Sequence, residues 1–302
     1  MILAAGLTPA WQEILVFDTL RLGQVNRAVE THWTASGKVL NVALALHHLG
    51  GPCGALSLLG GLPGRSIDEA FSEAGIAGRW VWTRRPTRVC NTILDRGSRV
   101  TTELVENAGA VSDDELAAFL AAYREAASGA RFVVLSGSLP PGAPKTFYRS
   151  LVELSPGPVI LDASGQELLE ALGARPLCVK PNREELGRTL GRPVASDDDL
   201  MEAMREIHRR GALWVLVSHG GDALWAYSRE GFQRFQPPAI EAMNPIASGD
   251  CLAAGLAWAL HGGAGMEEAI RFGIAAAVEN ALTLMPARLE LQKVRNRVAD
   301  IR

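Results

Sequence analysis

Apolar residues in this chain fall into two textures. From Arg131 onward, short uninterrupted β-rich runs alternate with segments of helical period. Arg131-Phe-Val-Val-Leu135 precedes Pro-Gly turns and a helical pattern over Lys145 to Leu154. Val159-Ile-Leu-Asp162 precedes a helix over Gly165 to Leu172, and Leu177-Cys-Val-Lys180 one over Asn182 to Leu190. A helix over Asp197 to Arg210 leads into the strand Trp214-Val-Leu-Val217. Strands that are apolar throughout, alternating with helices, predict an α/β fold whose parallel sheet is covered on both faces. Ligands in such folds bind beyond the carboxyl ends of the strands, where Lys180, Ser136 to Ser138 and Ser218 to Gly221 fall.

Two earlier segments differ. Trp11 to Thr34 and Trp80 to Glu106 are rich in Val, Thr, Trp and Arg and partly alternate. They predict antiparallel strands outside the main layer, flanking a helix over Lys38 to Leu49 and forming a small sheet that closes over the site as a lid. No repeat, low-complexity tract or linker interrupts the chain, so residues 1–302 are expected to form one domain.

Composition narrows the function. Hydrophobic residues make up 48% of 302, as in a folded globular protein. A net charge of −3, with no basic run, argues against nucleic acid as a partner. The four cysteines are far apart and lack zinc-like spacing with the six histidines, which fits a reduced, cytoplasmic setting. Met1 to Phe17 lacks a basic start and carries Gln12 and Glu13, unlike a secretory signal. Phe272 to Met285 is interrupted by Glu279 and Asn280 and is too short to span a membrane.

The richest chemistry lies in Asn244-Pro-Ile-Ala-Ser-Gly-Asp-Cys-Leu-Ala-Ala-Gly255. Small residues at Ala247, Ser248 and Gly249 let a phosphoryl group approach the backbone. The free N–H groups of the helix that follows favour an anion there. Asp250 beside them can take a proton from an attacking hydroxyl, or can simply cap the helix. Asn182 and Glu185 share one face of a helix start. They could hold hydrated Mg²⁺ near phosphates or form an ordinary cap. Ser36-Gly37-Lys38 lacks the spacing of a Walker A loop; Gly37, Lys38 and Asn41 can instead cradle a sugar. His219 beside Ser218 would suit a hydrolase, but adjacent strand residues point apart and no G-x-S-x-G elbow occurs. No G-x-G-x-x-G follows the first strand, which disfavours a dinucleotide-dependent dehydrogenase. Trp214, Trp225 and Trp258 read as core, and His47 and His48 as helix-face residues.

Five segments together carry a resemblance. Asn244 to Gly255 is similar to the C-terminal signature of the ribokinase-like (PfkB) sugar kinases. Lys180-Pro-Asn-Arg-Glu-Glu-Leu186 resembles the family's K-P-N-x-x-E-L. Leu135-Ser-Gly-Ser-Leu-Pro-Pro-Gly142 resembles the S-G-S-L-P-P-G of its hexose-phosphate branch. Ser36-Gly-Lys-Val-Leu-Asn-Val-Ala43 resembles G-G-K-x-x-N-V-A, and Val217-Ser-His-Gly-Gly-Asp222 a nucleotide-side turn. They occur in family order over nearly the whole chain, and resemble most the 1-phosphofructokinase and tagatose-6-phosphate kinase branch.

The resemblance implies a ribokinase-like three-layer α/β/α sandwich with a β-sheet lid, and phosphoryl transfer from ATP with Mg²⁺ and a monovalent cation. Asp250 would be the base, with the N–H groups of Ala247, Ser248 and Gly249 stabilising the γ-phosphate. Most members have Gly where Ala247 stands; a negative φ there would accommodate the methyl group. ATP and the metal would meet Lys180, Asn182, Glu185, Ser218, Gly220, Gly221 and Asn280. The sugar would meet Gln12, Gly37, Lys38, Asn41, Ser136 and Gly137, and its phosphate Arg88, which could also be one of a surface run with Arg84 and Arg85. Arg27 matches the same branch. The acceptor would be a phosphorylated ketohexose, fructose 1-phosphate before tagatose 6-phosphate; an unphosphorylated sugar, a nucleoside, or a catalytically silent sensor are the other readings. Thr8-Pro9-Ala10-Trp11-Gln12 departs from the branch's N-P-A-x-D, with an amide in the acid's place, which predicts that fructose 1-phosphate is used poorly or that a different phosphorylated sugar is preferred. Trp11 could stack on a ligand or pack within the lid. The lid's edges and exposed apolar side chains predict a homodimer formed through it.

Overall fold

A computed structural model describes residues 1–302. The chain begins with β1 (Ile2–Ala5), β2 (Ala10–Phe17), β3 (Glu30–Ser36), α1 (Lys38–His48), β4 (Cys53–Leu59), α2 (Gly61–Glu73) and β5 (Ala77–Trp82). There follow β6 (Arg88–Asp95), β7 (Val100–Val105), α3 (Asp113–Ser128), β8 (Phe132–Ser136), α4 (Phe147–Leu154), β9 (Val159–Asp162), α5 (Gly165–Ala171) and β10 (Cys178–Val179). The C-terminal part holds α6 (Arg183–Leu190), α7 (Asp197–Arg210), β11 (Trp214–Val217), β12 (Leu224–Ser228), β13 (Gly231–Phe235), α8 (Ser248–His261), α9 (Met266–Ala281) and α10 (Leu291–Arg297).

Nine strands form the main sheet in the order β13-β12-β11-β10-β9-β8-β1-β4-β5. All pairs from β11 to β5 are parallel, and the hairpin β12–β13 adds an antiparallel edge. Because both faces are covered, alternate residues of one strand enter different cores. Ile2 and Ala4 pack with α1, α8 and α9, while Leu3 and Ala5 pack with α3, α4 and α7. Sandwich and lid thus match the expected architecture.

Local signals explain the best-defined elements. Ser196 caps α7 and forms a capping box with Asp199; His208, Arg209 and Arg210 occupy the last turn before Gly211. Helices α8 and α9 cross at a glycine contact: a Cβ on Gly255 would come within 2.9 Å of the Gly273 Cα. That close approach brings the far end of α9 beside the first turn of α8.

Four strands form the lid in the order β3-β2-β6-β7, with two corrections to the sequence reading. Its central pair, β2 and β6, is parallel, because β6 returns to the lid only after the chain has passed through the main sheet. Trp80 to Trp82 belong to β5, the parallel edge strand of that sheet, not to the lid. A half-exposed edge strand carries the same Val/Trp texture as a lid strand. Trp11 stacks on Trp33 with ring centroids 5.9 Å apart, so lid packing is its role. Trp214 and Trp258 pack partly buried against one core and Trp225 against the other. His48 lies at the end of α1 and accepts a 2.8 Å hydrogen bond from Arg288.

Candidate active site

A cavity of about 680 Å³ lies between the carboxyl ends of the parallel strands and the lid. Gln12, Gly37, Lys38, Asn41, Arg88, Lys180, Asn182, Glu185, Ser218, Gly220, Gly221 and the turn Ala247 to Asp250 all line it. A smaller pocket of about 150 Å³ lies alongside, lined by Thr8, Lys38, Arg88, Gly137, Ser138 and Glu185 among others.

Asp250, in the first turn of α8, is 5% exposed. Asn41 Nδ2 donates to its Oδ2 at 2.8 Å. Burial drives the Asp250 carboxyl up and the Asp162 charge adds to this, so that it titrates at about 7 despite Lys38, Asn41 and Lys180. A carboxyl poised there is a usable base at neutral pH.

Asp162, at the end of β9, is 1% exposed and lies between two lysines. Lys38 Nζ donates to its Oδ1 at 3.0 Å. Lys180 Nζ stands 3.0 Å from Oδ2 as an ion pair outside hydrogen-bond alignment. Burial alone would raise the Asp162 carboxyl, but Lys180 and Lys38 overcome it and hold the group below the usual carboxylate range. Burial would likewise lower the Lys38 pKa, yet Asp162, Glu185 and Asp250 hold it well above the ordinary lysine value. Two cations, fixed by a buried anion, therefore face the cavity beside the base. Sequence reasoning missed Asp162 as a site residue, although a carboxylate closing the apolar run Val159 to Leu161 was the available signal.

The turn before α8 is strained. Ala247 is left-handed, with φ of 66°, contrary to the negative φ expected for it. Of the three expected N–H donors, that of Ser248 is taken by Pro245 O at 3.2 Å. Those of Ala247 and Gly249 make no hydrogen bond within the protein and remain for an anion.

Asn280 is a second correction. It is fully buried and does not line the cavity. Its Nδ2 donates to Ile246 O at 2.7 Å and Ser248 Oγ at 3.0 Å, while Oδ1 accepts from Ala287 N at 2.7 Å. From the end of α9 it holds the turn in shape behind the cavity wall. Ser136 is also buried beneath the site, its hydroxyl without a partner, and it is the following Gly137 and Ser138 that reach the smaller pocket.

Asn182 and Glu185 form the capping box of α6. Asn182 Oδ1 accepts from Glu185 N at 2.7 Å, and Glu185 Oε2 from Asn182 N at 2.8 Å. The cap reading therefore holds, and it leaves Glu185 Oε1 facing Lys38 at 3.2 Å. Ser218 accepts from Arg183 N at 2.9 Å through its carbonyl, and His219 pairs with Asp222 at 3.0 Å, not with Ser218.

On the lid, Gln12 is 2% exposed and donates from Nε2 to Thr92 Oγ1 and, at 3.5 Å, to Glu103 Oε1. Its Oε1 accepts from Ser36 Oγ. Arg88 donates to the carbonyls of Pro9 at 3.3 Å, Glu106 at 3.3 Å and Thr8 at 3.1 Å, so it is a pinned residue and not one of a loose surface run. Sequence reasoning did not single out Glu103 at the site; it placed Ser138 at a strand end and Thr8 in the lid's opening segment without giving either a role.

A family model described as pfkB family carbohydrate kinase matches residues 13–284. Among solved structures, phosphofructokinase-2 from Escherichia coli in complex with fructose-6-phosphate is 27% identical, with 99% of each chain covered and a TM-score of 0.88. The same enzyme in complex with potassium is 26% identical over 99% of each chain, with a TM-score of 0.90. Ribokinase from Thermotoga maritima shares the fold at 19% identity, over 99% of each chain, with a TM-score of 0.79. Fold, cavity and family match agree: the chain belongs to the pfkB family of carbohydrate kinases and is an ATP-dependent sugar kinase with a ribokinase-like fold.

Proposed function

We propose that the enzyme transfers the γ-phosphate of ATP to a hydroxyl of a phosphorylated ketohexose, with fructose 1-phosphate as the first acceptor and tagatose 6-phosphate as the alternative. The observation that carries this reading is the placement of the buried base Asp250, the pair Lys38 and Lys180, and the free N–H groups of the α8 turn around one cavity. Asp250 accepts the proton of the acceptor hydroxyl while Asn41 orients the carboxylate. The lysines and the helix start stabilise charge that develops on the transferring phosphoryl group. Arg88 retains unused N–H groups beside Thr8, Gly137 and Ser138, where the smaller pocket has the size and donors for the phosphate already on the sugar. A second acceptor, fructose 6-phosphate, is favoured by the likeness to the phosphofructokinase-2 complex.

Leu224, Pro238, Ile274 and Val278 give the cavity apolar lining suited to the flat base of ATP. Glu185 Oε1 and Asp162 offer hard oxygen donors, while Asn182 Oδ1 serves the capping box. This set fits Mg²⁺ that meets the protein mainly through water and phosphate. The ion would neutralise phosphate charge during transfer. A monovalent cation remains a proposal, supported by the potassium complex of the related enzyme.

No helix is long and apolar enough to cross a membrane. We assign the enzyme to the cytoplasm and to a homodimer formed through the lid, whose exposed Trp33, Val100 and Leu104 leave apolar surface to cover. A monomer by light scattering at micromolar concentration would refute the dimer. Coupled detection of ADP release over a panel of sugars and sugar phosphates tests the acceptor. Activity confined to unphosphorylated sugars or nucleosides would overturn it.

A further inference from the structure

The lid contributes one acid to the cavity, Glu103 of β7. Glu103 and Val105, two apart on the strand, both line the cavity, as the alternation of side chains requires. Across the sheet Glu103 lies opposite Thr92, and Thr92 takes a hydrogen bond from Gln12. Gln12 is the polar centre of the lid's inner face, but its amide is committed. Both N–H groups have acceptors, Thr92 Oγ1 and Glu103 Oε1, and its oxygen accepts from Ser36. Gln12 thus has no donor left for a ligand. Glu103 is different: Gln12 steadies Oε1 at 3.5 Å, and Oε2 has no partner within the protein.

A carboxylate carries two oxygens and about four acceptor sites, and it accepts best from hydroxyls it meets at a fixed angle. Resting on the reading of the cavity as a sugar site, we propose that Glu103 is a specificity-determining residue that accepts hydrogen bonds from two adjacent hydroxyls of the acceptor, with Gln12 as the residue that positions it. The acceptor is therefore a sugar that presents a vicinal diol to the lid while its reacting hydroxyl faces Asp250. Arg88 lines the same cavity and provides the cation that keeps an acid tolerable near a phosphorylated ligand.

The test uses Glu103→Gln, which keeps size and shape and removes the charge. Steady-state kinetics of ADP release would be measured with the best acceptor and with its analogue lacking one of the two hydroxyls. Glu103→Gln should raise the acceptor KM by about tenfold or more, the scale of one lost charge-assisted hydrogen bond, and leave the ATP KM within about twofold. It should also erase most of the wild-type preference for the intact diol over the deoxy analogue, which a merely structural role would not do. Gln12→Asp in the same chain should restore part of that preference, whereas Gln12→Asp alone sets two carboxylates against each other and should weaken acceptor use. An unchanged acceptor KM and unchanged diol preference in an active Glu103→Gln enzyme would overturn the assignment and leave the kinase reading intact. Equal losses for ATP and acceptor would overturn it in favour of a structural role. A wild type that releases ADP with no member of the panel would overturn the acceptor reading itself, and this assignment with it.

Discussion

Asn41 Nδ2 lies 2.8 Å from Asp250 Oδ2, joining the first turn of α1 to the first turn of α8 across the cavity. One carboxylate oxygen is thereby held, and the other makes no hydrogen bond within the protein beside the cavity. Asp250→Asn should lower kcat by roughly 10²–10⁴-fold, the range for a lost general base, while nucleotide still binds. Near wild-type turnover would remove Asp250 from the mechanism. The same variant reads out stability. The folded Asp250 titrates at about 7, above its unfolded value, so between these values the native state binds more protons and stability falls as pH rises. Asp250→Asn should raise Tm more at pH 8 than at pH 5.

The pH profile of kcat/KM should rise through a limb near 7 as Asp250 loses its proton. Asn41 lowers the Asp250 pKa by donating to the charged form, so Asn41→Leu should move that limb to higher pH. A limb that stays in place would mean another group sets it.

Asp162 neutralises two lysines from a buried position. Asp162→Asn leaves Lys180, itself 3% exposed, without its counter-charge. Unfolding in urea should show a loss of about 3 kcal/mol, as when one partner of a buried pair is removed. A loss below about 1 kcal/mol would show that water or Glu185 replaces Asp162.

Arg88 holds three carbonyls of the lid and its hinge and faces both cavities. Arg88→Ala should lower kcat/KM for the sugar phosphate by roughly 1.5–3 kcal/mol and leave the ATP KM nearly unchanged. Equal damage to both substrates would indicate that Arg88 serves the lid alone.

At Ala247, φ of 66° places a Cβ in a region that glycine occupies freely. Ala247→Gly should stabilise the enzyme by about 0.5–1 kcal/mol, since relief of the left-handed strain exceeds the added chain entropy. Chemical denaturation would show it. A loss of stability would mean that the methyl group is held by packing.

Much of this was legible in the sequence, for reasons particular to each segment. Val159 to Asp162, Trp214 to Val217 and Asp197 to Arg210 appear with the expected bounds. Two are strands whose apolar runs end abruptly, and the third is a helix with Ser at one end and Gly at the other. Pairing was not legible: nothing local in β2 and β6 records that they run parallel, and Trp80 to Trp82 fit an edge strand in either sheet. Most of the expected site residues do line the cavity, because each sits at a strand end or helix start. Asn280 and Ser136 do not: a motif match in one and a strand-end position in the other say nothing about which way a buried side chain points. Glu103 was hidden because its importance arises only across three lid strands.

Lid and base share a single pivot. β3 ends at Ser36, Gly37 turns with φ of 83°, and α1 begins at Lys38. A Cβ on Gly37 would meet Thr8 O at 2.8 Å, so the turn admits little other than glycine. Strand β3 of the lid is therefore mechanically continuous with the helix carrying Lys38 and Asn41, and through Asn41 with Asp250. An interlock is expected: an acceptor that bears on β3 bears also, through Gly37 and α1, on the Asn41–Asp250 contact. The background rate at which the enzyme wastes ATP on water, compared with its rate on the sugar, measures how tight that interlock is.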